Sequence, residues 1–229
     1  MILAIDTALA ATSACLLAPG SLRPASAETL FMEAGHAEAL LPLIDRVVAR
    51  EPGGFGAVTR IAVTIGPGSF TGIRIGVAAA RAFALAFRVP VVGVSTLAAL
   101  AAPAIAVGAR PPIVAAIDAR HGNVYVQGFG PRGESLLGPA LMPAVEAARA
   151  LGPGPLRLIG SGGPLIARVA LALGLTTDME GFRELPDIAF VARLGLLADP
   201  EQAIARPLYL KAPDAKLPSP SGLLAASMA

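Results

Sequence analysis

Residues 60–88, RIAVTIGPGSFTGIRIGVAAARAFALAFR, constrain the fold more than any other stretch. Positions 61–65 form a short β-branched run of a length suited to a buried strand. Gly66-Pro67-Gly68 breaks that run as a turn. Ser69 or Thr71 then stands where a helix N-cap belongs, and 72–87 reads as the helix. A strand that passes through a glycine turn into a helix points backbone N–H groups at whatever lies above the turn, which suits an anion. The other reading is that the glycines only let the chain turn sharply and let the helix approach a neighbour. Neither common phosphate loop is present. The Walker pattern needs a lysine that is missing, and Thr71 stands where the third glycine of G-x-G-x-x-G belongs.

The 229 residues suffice for one large domain or two small lobes. Hydrophobic residues make up 55% and charged residues 15%, with a mean hydropathy of +0.68, so a membrane reading needs testing. The longest uncharged stretch, 89–109, is broken by Pro90, Gly93, Ser95 and Pro103 and reads as strand, cap and helix. Helix 72–87 carries Arg74 and Arg81 and is shorter than the roughly 20 apolar residues of a spanning helix. No membrane is expected. Alanine in the core and a protein interface are the expected homes for the apolar excess. Net charge is +2 and the arginines are scattered, which gives no support to autonomous nucleic-acid binding. Cys15 is the single cysteine and is expected in the core, as fits a reducing cytoplasm. The first residues already read as a strand, so no signal peptide is expected.

A doubled pattern runs along the chain. ILAID at 2–6 and VAAID at 114–118 each read as a buried strand ending in an aspartate, and a second strand follows each, at 12–17 and 123–129. The match suggests duplicated lobes over 1–110 and 111–211. Further strands are expected at 27–33, 91–94 and 156–159, and helices at 36–50, from Leu97, at 145–151, 165–173 and 187–198. Pro42 is expected to confine the regular part of the 36–50 helix to its far side, or to a first turn beginning just before it. Residues 212–229, rich in Pro, Ser and Ala, read as a loosely held tail.

Asp6 and Asp118 are the best carboxylate pair. Facing one cleft, they could hold a hydrated Mg²⁺ against a nucleotide. The alternative is that each caps a turn at its strand end. His36 and His121 lack metal-ligand spacing, and Ser69 lacks the context of a hydrolase nucleophile.

Several stretches together resemble the TsaB (YeaZ) family. They are ILAIDT from Ile2, HAEALLP from His36, GPGSFTGIRIG from Gly66, GVSTL from Gly93, AIDARHGNVY from Ala116 and RPLYLK from Arg206. The resemblance implies the two-lobed α/β fold of the actin, Hsp70 and sugar-kinase (ASKHA) superfamily, a mixed sheet with flanking helices in each lobe. It implies a non-catalytic cytoplasmic partner of the paralogue TsaD in forming N6-threonylcarbamoyladenosine (t6A) at position 37 of ANN-decoding tRNAs. It further implies that TsaE binds the assembled pair, that ATP and Mg²⁺ serve the complex rather than this chain, and that tRNA is met only through the complex. The chain alone is expected to form a homodimer. After Asp6, Thr7-Ala8-Leu9 lacks the glycines of a phosphate-binding hairpin, so Asp6, Thr7 and Asp118 are at most a vestigial nucleotide or Mg²⁺ site. The alternative function on this fold is a small-molecule kinase or ATPase.

The expected partner interface joins Leu40, Leu41 and Ile44 on one helix to Gly72, Arg74, Gly76, Ala80 and Arg81 on the next. Gly72, Gly76 and Ala80 recur every four residues and so share one face, where small side chains let another helix come close. The competing reading places that face inside its own lobe, with the arginines solvated.

Overall fold

The structure is a computed structural model that describes residues 1–210. The expected tail at 212–229 lies outside the described residues. The first half builds a five-stranded sheet from β1 (Ile2–Asp6), β2 (Ala11–Leu17), β3 (Ser26–Phe31), β4 (Arg60–Gly66) and β5 (Val91–Ser95), ordered β3-β2-β1-β4-β5. Helices α1 (His36–Ala49) and α2 (Phe70–Phe87) follow β3 and β4, and α3 (Thr96–Ala106) follows β5. The second half repeats the plan with β6 (Ile113–Asp118), β7 (Asn123–Phe129), β8 (Ser135–Pro143), β9 (Leu156–Ile159) and β10 (Thr177–Asp178), ordered β10-β9-β6-β7-β8. Its helices are α4 (Ala144–Ala150), α5 (Gly163–Ala172) and α6 (Ile188–Leu197). In each sheet the first strand pairs antiparallel with the second and parallel with the fourth. ILAID and VAAID are therefore the equivalent central strands of two like sheets, as their pattern suggests.

β1 is apolar up to its terminal Asp6 because both of its faces are covered. Leu3 and Ile5 point into a core with α1 and α2, while Ile2 and Ala4 meet Val191 and Ala192 of α6. In the second sheet Val114 and Ala116 pack on α4 and α5, and Ile113 and Ala115 pack against Leu97 and Leu100 of α3. Each lobe's last helix thus reaches the junction. α3 continues to the second sheet, and α6 returns to the first.

That return corrects the lobe boundary. Residues 188–208 were expected with the second lobe and pack on the first. Arg60 of β4 donates to the carbonyls of Gly195, Leu196 and Ala198 at 3.0, 3.2 and 3.1 Å, satisfying the end of α6. Beyond α6, Gly93 on the β5 edge donates to Ala203, and Leu208 donates to Ile65 of β4.

α1 runs unbroken from His36 through Pro42, contrary to the expected confinement. Pro42 is exposed, and so is Glu38, whose carbonyl loses its helical donor to the proline ring. α2 begins at Phe70, two residues before the expected start, with Ser69 Oγ accepting from the Gly72 N–H at 3.2 Å. Among the described residues α2 is the one helix long and apolar enough to cross a membrane. Here it lies on β4 and β1 as a core helix. Strands β8 and β10 have no counterpart in the sequence reading. β8 carries two prolines and alternates poorly, because it is a largely exposed edge.

Candidate functional site

Two surfaces collect the residues singled out by sequence. The first is a cleft of about 440 Å³ between the lobes, walled by the β1–β2 turn, the start of α1, the entry to α2 and the β6–β7 turn. Asp118, Arg120, His36 and Ser69 all line it. His36 is the first residue of α1 and is buried, with Nδ1 2.7 Å from Thr12 Oγ1. Asp118 accepts from the Arg120 N–H at 2.7 Å and is exposed.

Asp6 does not join Asp118 on that wall. It is buried at the end of β1, where it accepts from the Ala8 N–H at 2.9 Å and from the Thr64 hydroxyl at 2.5 Å. Burial pushes its carboxyl above the ordinary aspartate range, opposed by those two hydrogen bonds. Thr7 is equally committed, its hydroxyl donating to the Gly72 carbonyl at 2.6 Å. Asp6 and Asp118 each accept the N–H two residues on, as the turn-capping alternative has it, and Asp6 and Thr7 do not line the cleft with Asp118. Asp6 and Thr7 knit β1 to β4 and α2, and these residues do not fit a metal-bound nucleotide. No cluster of three or more His, Cys, Asp or Glu side chains occurs among the described residues.

The second surface is formed by α1 and α2. Gly72, Gly76 and Ala80 are buried against β1 and β4, so the small face packs inside its own lobe and does not centre a partner interface. A Cβ on Gly72 would collide with the Thr7 carbonyl oxygen, and one on Gly76 with the Thr7 hydroxyl. Close approach of α2 to β1 is what demands glycine there. Leu40 and Ile44 are buried in the same core. What remains outside is a different, apolar face. Leu41 is 55% exposed, and with Ile75, Ala78, Ala82 and Phe83 it lines an interhelical groove of about 560 Å³. Phe83 continues into a stack with Phe55 and Phe87, at ring centroids 5.5 and 5.9 Å away. Arg74 and Arg81 are exposed, as the solvated reading expects. Arg74 is not free, however. Its Nε donates to the Tyr209 hydroxyl at 2.8 Å, and its guanidinium lies 3.7 Å above the Phe70 ring. The sequence reading missed Tyr209, Ile75 and Ala82. Ile75 and Ala82, seven residues apart, were visible as one stripe of the helix, but which stripe faces outward was not.

Like strand order in two sheets, crossed closing helices and a cleft between them define a two-lobed α/β protein built on one repeated plan. The family described as "TsaD: tRNA N6-adenosine threonylcarbamoyltransferase" matches residues 31–216. The tRNA threonylcarbamoyladenosine biosynthesis protein TsaB of Escherichia coli is 37% identical over 124 residues, which cover 54% of this chain and 52% of that protein. The chain thus spans about half the length of the curated TsaB relatives of Escherichia coli and Haemophilus influenzae that it matches. An uncharacterized protein of Mycobacterium tuberculosis is 32% identical over 215 residues, 94% of this chain and 93% of that one. The structure of YeaZ from Pseudomonas aeruginosa superposes with a TM-score of 0.71 at 29% identity, covering 90% of this chain and 99% of that chain. The chain belongs to the family that the match describes, and within it to the TsaB (YeaZ) branch.

Proposed function

We propose that this chain is a non-catalytic subunit that binds TsaD through the outer α1–α2 face and supports t6A formation at position 37 of ANN-decoding tRNAs. The observation that carries the reading is the apolar groove beside Leu41 and Phe83, on a chain of the TsaB branch. A monomer has little use for a contiguous apolar face of this kind, and a partner helix would bury it. The same face would serve a homodimer when TsaD is absent, so the two associations compete. TsaE then meets the assembled pair, ATP and Mg²⁺ serve the complex, and tRNA is engaged only by the complex, in the cytoplasm and away from any membrane. The locked geometry of Asp6 and Thr7 favours this reading over a kinase or ATPase.

The test is Leu41→Glu and Ala82→Glu, each exposed and outside the lobe core. Both variants are expected to fold, to sediment as monomers and to lose at least tenfold in TsaD capture, and cells carrying them should contain less t6A by mass spectrometry of digested tRNA. Native capture by both folded variants would remove the α1–α2 face from the reading. ATP turnover by the purified chain would favour the kinase alternative.

A further inference from the structure

A second cavity lies on the far side of the lobe junction and owes nothing to the TsaD reading. It encloses about 460 Å³ between α3, α6 and the β7–β8 turn. That volume is within the range of small-molecule sites, about 300–1,000 Å³. Its walls are apolar, from Ala102 and Ile105 of α3, Phe129 of β7, and Leu194 and Leu197 of α6. Arg132 and Arg193 also line the space, and no acidic residue does.

Arg193 is held over the Phe190 ring at 4.5 Å, and one of its amino groups donates to the Leu22 carbonyl. Its Nε–H is buried and has no hydrogen-bond partner. This donor is closed off from the cavity, so a ligand there would meet the outer amino groups of the guanidinium. Arg132 is exposed, and neither arginine forms an ion pair among the described residues. The nearest acid in the turn, Glu134, is engaged by the Arg132 backbone N–H at 2.9 Å.

We propose that this cavity binds a small amphiphilic carboxylate, an apolar chain of medium length whose head group meets Arg193 and Arg132 while its body lies on Ala102, Ile105, Phe129 and Leu194. Charge complementarity selects the head group, because guanidinium pairs with carboxylate through charge-assisted hydrogen bonds. The apolar walls select the body. Because α6 packs on the first sheet and Phe129 belongs to the second, such a ligand would touch both lobes.

The probe is octanoate, titrated calorimetrically into the full chain, with octan-1-ol as the uncharged control. Octanoate is expected to bind saturably at one site with a dissociation constant below about 1 mM, and octanol at least tenfold more weakly. Arg193→Gln and Arg132→Gln should each weaken octanoate about tenfold, and should leave octanol unchanged. Arg193→Gln also removes the Leu22 contact, so Arg132→Gln, whose side chain forms no hydrogen bond among the described residues, keeps the test sound if the first variant unfolds. Equal binding of octanoate and octanol, native octanoate affinity in the Arg132→Gln variant, or no saturable binding at low millimolar octanoate would each overturn the proposal.

Discussion

The two lobes are built on one plan, and the ends of their central strands show how differently the same plan can be used. β1 ends in Asp6 and β6 ends in Asp118 at equivalent positions. Asp6 is sealed by Thr64 and the Ala8 N–H beneath α2, whereas Asp118 stands exposed at the cleft, bonded to the Arg120 N–H of its own turn. The helix that follows the fourth strand also differs in length between the lobes. In the first lobe this is the 18-residue α2, which rides on β1 through Gly72 and Gly76. In the second it is the 10-residue α5, after a four-residue strand. A pair of like aspartates in sequence is thus one structural group and one surface group.

The comparison predicts the largest effect where α2 touches β1. Gly76→Leu places a branched side chain against the Thr7 hydroxyl and Val63, and it should cost at least about 3 kcal/mol or prevent folding, read by urea denaturation. A folded Gly76→Leu protein of native stability would break the account of the first lobe. Next comes centre against edge. Leu3→Ala in the fully buried β1 should cost about 2–5 kcal/mol, and Leu137→Ala in the exposed edge strand β8 less than half as much. Equal losses would mean that β8 is covered in solution.

Arg60→Met tests the return of α6 to the first lobe. It strands three carbonyls at the end of that helix, and it should cost about 1.5–3 kcal/mol while protease sensitivity rises around 188–198. The smallest effect is read by pH at Asp6. The Asp6 carboxyl is raised in the folded protein, chiefly by burial, so the folded state holds its proton more tightly than the unfolded state. Stability from this group is therefore complete below the ordinary value of 3.8 and is lost as pH rises through the folded value. Asp6→Asn should flatten the stability curve over that rise, as read by denaturation at a series of pH values.

Much of the fold was legible from residues alone. β1, β4, β5 and β6 are short apolar runs bounded by turn residues, and Ser69, Ser95 and Asp187 each cap the helix placed after them, accepting from Gly72, Ala98 and Ala189. Cys15 is buried as expected, and burial raises its thiol to about 12. The candidate site was only half legible. The pattern of glycines correctly marked a close approach on α2 but not its target. Gly72, Gly76 and Ala80 fit a sheet as well as they fit a partner helix, because small side chains ask only for proximity.

Local sequence therefore determined the strand repeat, the helix starts and the small stripe of α2. These follow from periodicity and hydrogen-bond chemistry within a few residues. Tertiary structure alone decided which sheet α6 would cover, that Asp6 would be locked and Asp118 open, and which side of α2 would remain outside. Burial of apolar surface has no direction of its own, so an amphipathic or small-faced helix can satisfy it against any apolar neighbour. The choice falls to long-range partners such as Arg60 with the end of α6, or Thr7 with the Gly72 carbonyl, and no spacing within the sequence announces them.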